Sequence, residues 1–387
     1  MRNVIVGAGS LLAVLSLSCG SAVQCQPAAP APVPGPTGAL SATPMAMGRI
    51  WAGADLDVHF FLAGRDRPGN IYTLIPVEGV TVTAEVTMPS MPGMAPMTPT
   101  VHEEGAPGYY GLSALFPHGG KYHIALTVKP RSGALQSAAF NLSVEDAPEG
   151  TPLFTPLFSA TVEPDPNPPA AQKPDKLKFK VFARGSQEIW SDFVVVHTKP
   201  WHLLVMSNDL RWFDHIHPQQ NEDGSFTVEE TFPAGGDYLL LSDVSPRGYG
   251  QQFLPVPLKV DGAPFATPYH LAPTLLTGSF GGVTVRLDAP SPLKPHQDIP
   301  LLFHLSTPDG KPVADLEPYL GAMGHLIIVS EDRTRFVHSH PLSTERTPDG
   351  VVRFVARFPK AGLYKAWAQF QRAGKVITSD FVISVAN

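Results

Sequence analysis

One pattern that occurs three times limits the fold of this chain more than any other feature of its sequence. Each copy has a glycine, seven further residues, Phe-Pro, two residues, a second glycine, one residue and a tyrosine, and the copies span 108–122, 224–238 and 350–364. The seven residues are about one strand long, and in the third copy they show the period-2 alternation of a half-buried strand. Because proline cannot continue a central ladder, Phe-Pro ends this strand and Gly-x-Tyr begins the next.

The repeated pattern resembles the tyrosine corner of immunoglobulin-like sandwiches, in which a tyrosine hydrogen-bonds back across the preceding turn. Turn-rich segments separate the copies, and no convincing helical period lies between them. The sequence therefore predicts an all-β protein of three tandem antiparallel β-sandwich domains, immunoglobulin-like or cupredoxin-like, over 45–147, 150–261 and 264–387. Since such sandwiches host many activities, the corner predicts a fold and not a function.

The N-terminal segment is typical of export. A basic start precedes an apolar stretch that is too short to span a bilayer. The segment LSLSCGS resembles the lipobox of bacterial lipoproteins, which implies a signal peptide over 1–18 and lipidation of Cys19. Ser16 departs from that motif, so cleavage after Ala22 is the alternative. The proline-rich segment over 19–44 predicts an extended tether, and the expected location is the bacterial cell envelope, either the periplasm or the outer membrane.

Two segments, in the second and third predicted domains, carry the same spacing of histidines. The first contains His202, His215 and His217, and the second contains His325, His338 and His340. A hairpin with a four-residue loop places the first histidine of each segment opposite the third. All three then share one face with apolar neighbours, while Asp214 points the other way. This face is predicted to be turned toward the core of its own domain.

Three imidazoles in this arrangement indicate a metal site. Burying them without partners costs a few kcal/mol per unsatisfied group, and His-x-His with a third histidine on the next strand is a known transition-metal arrangement. Imidazole suits both copper and zinc. Met323, two residues before His325, is expected on the same face, where its thioether would favour copper. The alternative is that the histidines bond only to backbone or solvent.

The first predicted domain has a methionine at every third position of one segment instead: Met88, Met91, Met94 and Met97. Intervening prolines exclude a helix. Pro92 and Gly93 are the favoured central pair of a type II turn, which would bring the flanking methionines together. Thioethers are suited to Cu(I), and His102 lies nearby, so Met91, Met94, Met97 and His102 are candidate ligands. The alternative is that the methionines fill the core.

From about Gly48 to Val144 the first domain resembles the YtkA-like and FixH-like bacterial exported domains, which carry a similar MPGM segment followed by a Gly-x-Tyr strand. The resemblance implies an exported domain and a connection with copper. The GHL…HSHP segments resemble those of other bacterial exported proteins.

The leading hypothesis is a lipid-anchored extracytoplasmic protein that binds copper, with zinc as the other candidate ion, for storage, sensing or delivery. Another envelope metal-handling protein is its expected partner, and the lipid anchor is its expected contact with a membrane. The net charge of -6 without a basic run gives no reason to expect nucleic acid. An immunoglobulin-like interaction or adhesion module is the second hypothesis. A zinc enzyme is the third, and no enzyme is expected because the chain has no nucleophile elbow or phosphate loop.

Overall fold

The computed structural model describes residues 39–65, 74–146, 148, 156–339, 341 and 347–386. These residues form six sheets, two in each domain. Within the described ranges, no helix has the length and apolar character needed to cross a membrane. The predicted all-β fold of tandem antiparallel sandwiches is confirmed. The predicted signal peptide, Cys19 and His340 lie outside the described residues.

The first domain contains nine strands. They are β1 (Ser41–Pro44), β2 (Ile50–Trp51), β3 (Ala54–Arg65), β4 (Leu74–Pro76), β5 (Thr81–Thr87), β6 (Val101–Glu103), β7 (Tyr109–Phe116), β8 (Gly120–Lys129) and β9 (Gln136–Glu145). One sheet has the order β1-β3-β7-β6, with β4 paired to β3, and the other has the order β2-β9-β8-β5. The predicted tether therefore extends too far, because its last four residues form β1 and pair with β3.

The second and third domains repeat one topology. The second contains β10 (Phe158–Asp165), β11 (Pro174–Ala183), β12 (Trp201–Ser207), β13 (Phe213–Ile216), β14 (Gln219–Gln220), β15 (Phe226–Thr231), β16 (Gly236–Val244) and β17 (Gln252–Val260). The third contains β18 (Thr277–Phe280), β19 (Val283–Asp288), β20 (Asp298–Ser306), β21 (His325–Ser330), β22 (Phe336–Ser339), β23 (Val351–Arg357), β24 (Gly362–Arg372) and β25 (Lys375–Val385). The sheet β13-β12-β16-β17 corresponds to the sheet β22-β21-β24-β25.

All three predicted tyrosine corners are present. In each one the phenol donates to the carbonyl four residues earlier, across the turn that separates two strands. The bonds run from Tyr122 to His118 (2.9 Å), from Tyr238 to Ala234 (2.7 Å) and from Tyr364 to Lys360 (2.8 Å). The first glycine of each copy has a positive φ, 76° at Gly108, 82° at Gly224 and 68° at Gly350. Side chains disfavour that conformation, so the recurrence of glycine has a backbone cause.

The first strand of each histidine hairpin, β12 or β21, is buried on both faces. Leu203 and Val205 of β12 belong to the core of the second domain, whereas Leu204 and Met206 belong to a separate cluster with Ile327 of the third domain. The prediction that the histidine face covers the core of its own domain is therefore wrong. Alternation along the strand indicates that the face is apolar, but does not indicate which apolar surface covers it.

The two corresponding sheets instead pack face to face. Their shared cluster contains Leu204, Met206, Leu210, Leu241, Ile327, Val329 and Trp367. Phe213 of the second domain stacks on Trp367 of the third, with ring centroids 4.5 Å apart and planes 15° apart. The two hairpin loops also meet, because Arg333 Nη1 donates to the Asn208 carbonyl at 2.7 Å. The apolar centre of this interface closes one side of the histidine site.

The first domain contacts both repeats, and the three domains form one compact unit. The Asp55 carboxylate lies 2.8 Å from Arg357 Nε of the third domain, and the Thr100 amide donates to Asp298 at 2.7 Å. Ala46 forms a β-bridge with Tyr249 of the second domain. These contacts place the outer face of the sheet β1-β3-β7-β6 beside the interface of the repeats.

Removing one corner hydroxyl should weaken the second domain. We expect Tyr238→Phe to lower the free energy of unfolding by about 0.5–1.5 kcal/mol, the net value of one hydrogen bond, as measured by urea unfolding. Tyr109→Phe is the control, because the hydroxyl of this half-buried tyrosine forms no hydrogen bond with a described residue. Equal losses in the two variants would contradict the role given to the corner.

Candidate metal centre

The two histidine hairpins have the predicted register. Leu204 pairs with His215 in the first hairpin, and Ile327 pairs with His338 in the second. In both, the serine that ends the first strand binds an aspartate in the loop, at 2.8 Å for Ser207 and 2.7 Å for Ser330. Each loop aspartate also accepts a backbone N–H two residues later. This local bonding fixes the four-residue loops and therefore the register of the histidines.

Four histidines, two from each repeat, surround one point at the interface. They are His202, His215, His325 and His338. All six separations between their ring centroids lie between 5.2 and 6.2 Å. Four imidazoles bound to one tetrahedral ion at about 2.0–2.1 Å would have ring centroids roughly 5 Å apart. The four rings are therefore arranged as a slightly expanded tetrahedron.

Backbone carbonyls fix the tautomers of His202 and His325. The Nε2 of His202 lies 3.0 Å from the Val196 carbonyl, and the Nε2 of His325 lies 2.9 Å from the Tyr319 carbonyl. A carbonyl oxygen can only accept, so each Nε2 carries the proton of the neutral ring. The Nδ1 atom of both rings is left with its lone pair.

Side chains from the opposite repeat fix the tautomers of the other two histidines. The Nδ1 of His215 lies 2.8 Å from Gln369 Oε1, and the Nε2 of the same amide donates to Thr378 at 3.2 Å. The Nδ1 of His338 lies 2.5 Å from Asp243 Oδ2. When these two rings are neutral, both Nδ1 atoms therefore carry the proton, and both Nε2 atoms have lone pairs. Asp243 and Gln369 pair with the first histidine of their own repeats, so the two halves are equivalent.

These tautomers direct lone pairs at each other. His202 Nδ1 is 3.0 Å from His215 Nε2, and His325 Nδ1 is 3.3 Å from His338 Nε2. Two facing lone pairs repel unless a cation lies between them. Nitrogens bound to one tetrahedral ion at about 2.0–2.1 Å are separated by roughly 3.3 Å. Within each hairpin the two donor nitrogens therefore have the spacing of metal ligands, and their outer hydrogen bonds are those that orient ligating histidines.

Two further histidines lie beside the four. Donor atoms of His202, His215 and His217 lie within 4.8 Å of one another, and His217 Nε2 is buried without a hydrogen-bond partner among the described residues. His197 was missed by sequence reasoning, and its ring centroid is 5.3 Å from that of His325. Its counterpart in the third domain is Leu320, which shares its positive φ. The local fold repeats there but the side chain does not, so the spacing gave no signal.

Burial favours the neutral form of four of these imidazoles, His202, His215, His217 and His325. Burial, and then the neighbouring His338, lower the pKa of His202 to about 4. Burial, and then His202, lower the pKa of His217 to about 3. Burial also holds the pKa values of His215 and His325 well below the ordinary value. A metal ion therefore has few protons to displace at neutral pH.

Met323 is not on the histidine face. It is 1% exposed and packs in the core of the third domain with Leu326 and Ile328, whereas Ile327 faces the second domain. Met323 precedes β21, so the alternation of the strand does not extend back to it. The reason for expecting a thioether among the ligands is removed.

The methionine segment of the first domain packs mainly against apolar side chains. Met94 and Met97 pack against its core, and Met91 is 39% exposed. The predicted turn forms, because the Met94 amide donates to the Met91 carbonyl at 2.9 Å. It is not of type II, since Gly93 is not among the glycines with positive φ.

His102 has a different set of neighbours, with Asp57, His59 and Glu104. The Nε2 of His102 lies 2.8 Å from Glu104 and 3.7 Å from Asp57. Burial lowers the pKa of His102, but the two carboxylates outweigh it and raise that pKa well above the ordinary value. Asp57, His59 and Glu104 were not predicted, because Asp57 and His59 lie on β3 and Glu104 directly follows β6, and no linear spacing links these two segments.

The fold and this centre define a class, that of all-β tandem-sandwich proteins with a histidine cluster enclosed between two repeats. The chain belongs to the family described as a domain of unknown function (DUF8832), whose model matches it twice, over 159–262 and 278–387. A YtkA-like model matches 74–127. The predicted order of one YtkA-like domain and two repeated domains is confirmed, and the YtkA-like match indicates an exported protein.

Among curated proteins, none matches the chain. Solved structures that are similar include a tetra-tandem repeat of a large adhesion protein (14% identity, 90% of this chain and 74% of that one, TM-score 0.20). They also include a bacterial ice-binding adhesin (7% identity, 89% of this chain and 96% of that one, TM-score 0.20). A third similar structure contains the three N-terminal domains of the outer capsid protein Hoc of bacteriophage RB49 (11% identity, 90% of this chain and 100% of that one, TM-score 0.22).

The depressed pKa values predict a pH dependence for the metal-free protein. Unfolded histidines titrate near 6.5, so between about pH 6.5 and 4 the unfolded chain binds more protons than the folded one, and stability falls as pH falls. We expect the free energy of urea unfolding of chelator-treated protein to decrease across this window. The decrease should be smaller in His217→Gln, which lacks one of the groups. An identical slope in the two proteins would contradict this account.

Proposed function

We propose that this exported protein binds one transition-metal ion between its two DUF8832 repeats, with His202, His215, His325 and His338 as ligands. The observation that carries the proposal is the pair of opposed lone pairs, each fixed by hydrogen bonds on the far side of its ring. Each repeat supplies two of the four ligands. The ion would therefore bind between the two domains and hold them together.

The donor set supports binding rather than catalysis. Catalytic zinc sites keep one position for water or substrate, whereas structural sites fill all four positions with protein ligands. His202 and His325 are 3% and 0% exposed, so little solvent reaches the centre. We therefore favour storage or sensing over rapid delivery to a partner.

The choice of ion is between zinc and copper. Imidazole suits both, and with Met323 in the core no thioether remains to favour Cu(I). The tetrahedral placement of four imidazoles favours zinc, while the general order of affinities favours Cu(II). We place zinc first and retain copper. Lipid anchoring at Cys19 and residence in the cell envelope belong to the same proposal. A protein that is exported without its metal acquires the ion outside the cytoplasm.

Metal stoichiometry tests whether the two hairpins share one ion. The full chain, stripped with chelator and titrated with Zn(II), Cu(II) or Cu(I), should bind one ion tightly at this centre. We expect His215→Ala and His338→Ala each to lose that same ion, and the double variant to lose no more. The physical reason is that each substitution removes one of four ligands of a single site. Elemental analysis after gel filtration gives the count.

The control is His304→Ala, since His304 lies on β20 and pairs with Asp288 away from the centre. It should bind as the unmodified chain does. If each hairpin variant lost one ion and the double variant lost two, the repeats would hold independent sites. If none of the three ions bound tightly, the histidines would be structural and the chain an interaction module.

A further inference from the structure

A second cluster of metal-ligand side chains lies on the first domain, away from the methionine segment. His59 on β3 and His102 on β6 are both paired with Gly111 of the intervening strand β7. Asp57 and Glu104 are each two residues from one of these histidines, so all four share a face of the sheet. Val58 and Phe60 on the opposite face fill the core. The polar face is therefore the one turned toward the repeats.

The donor atoms converge, and His102 and Glu104 form an ion pair whose geometry is not that of a hydrogen bond. Glu104 is 9% exposed, and its Oε1 is buried without a hydrogen bond from any described residue. His102 Nε2 nevertheless lies only 2.8 Å from that oxygen, and Asp57 Oδ2 lies 3.7 Å from the same nitrogen. Adjacent ligands of an octahedral ion at about 2.1 Å are separated by roughly 3 Å. The spacing is that of atoms directed at a common ion.

A glycine keeps the space between these donors open. A Cβ at Gly111 would collide with Glu104 Oε1 and lie 2.7 Å from His102 Nε2. Gly111 does not have a positive φ, so its backbone conformation does not require glycine. The absence of a side chain therefore has a spatial reason, which is room for the cluster and for what it binds.

His59 orients the carboxylates and is not itself a ligand. Its Nδ1 accepts the Gln251 backbone N–H at 2.9 Å, so the neutral ring carries its proton on Nε2. That atom lies 3.3 Å from Asp57 and 3.4 Å from Glu104. The Gln251 side chain donates to Asp243 at 2.8 Å, the residue that holds His338. The two clusters are therefore joined through one glutamine.

The cluster is also accessible to a small cation. A cavity of about 180 Å³ is lined by Asp57 and His102 on one side and by Gln251 and His338 on the other. Asp57 remains the most exposed of the donors, with 37% of its side chain accessible. An ion can therefore enter from this cavity without separation of the repeats.

We propose that Asp57, His102 and Glu104 form a second cation site, specific for a divalent ion of the manganese, iron or zinc kind. Two carboxylates and one imidazole are a harder donor set than four imidazoles, and they disfavour Cu(I). Three protein ligands leave positions for water, unlike the closed four-histidine centre. The protein would then hold two ions of different chemistry on either side of Gln251.

Manganese distinguishes the two sites, because the four-nitrogen centre is a poor ligand set for it. Mn(II) titrated into the full chain and followed by electron paramagnetic resonance should show one bound ion. We expect Glu104→Gln and Asp57→Asn each to weaken binding at least about tenfold. Glu103→Gln is the matched control, since this neighbouring carboxylate faces Tyr110 at 3.4 Å instead. Circular dichroism checks that each variant is folded. We expect Asp57→Asn to disturb folding less than Glu104→Gln, because Asp57 is more exposed.

The outcome is independent of the four-histidine proposal. His215→Ala should retain manganese binding, and Glu104→Gln should retain the tight zinc ion. A dissociation constant above about 1 mM for the unmodified chain, or equal weakening in Glu103→Gln and Glu104→Gln, would overturn the second site and leave an ion-pair cluster that joins the domains. Loss of manganese binding in His215→Ala would overturn it as well, because the ion would then lie among the four histidines.

Discussion

The packing of two equivalent sheets against each other is the interaction on which the rest of this structure depends. A sandwich domain needs one apolar face of each sheet for its own core, but here β12 and β21 are buried on both faces. The second face has no cover within its own domain. Phe213 and Trp367 stack at the centre of the resulting interface, and they exclude water from one side of the histidines. Buried imidazoles then remain neutral, which is the state that binds metal.

Duplication explains why two of the three histidines are kept in register twice. Each repeat supplies two rings whose lone pairs face each other, and the acceptor that orients the second ring comes from the other repeat, Gln369 for His215 and Asp243 for His338. One repeat alone would supply two of the four ligands, and its second histidine would lack the hydrogen-bond acceptor that orients it. Two copies related by near symmetry make a closed tetrahedron. The first domain closes the assembly from the side, where Gly105 and His197 are in contact.

The sequence predicts features that depend on neighbouring residues along the chain. It does not predict features that depend on which surface packs against a strand. The tyrosine corners and the hairpin register follow from turn chemistry and strand period, and both were predicted. The apolar pattern of β12 and β21 could not say that the covering surface was another domain. Met323 was misplaced because it precedes the strand whose alternation was extended to it. Asp57, His59 and Glu104 meet only because β3, β6 and β7 are adjacent, and no linear spacing records that adjacency.

The most direct test of the shared centre is anomalous diffraction at the zinc absorption edge from crystals of the zinc-loaded full chain. One peak is predicted between the repeats, about 2.0–2.1 Å from His202 Nδ1, His215 Nε2, His325 Nδ1 and His338 Nε2. A second, separate peak beside Glu104 would not affect this claim. Two peaks that each lie within a single hairpin, or no peak at the interface of the repeats, would contradict it.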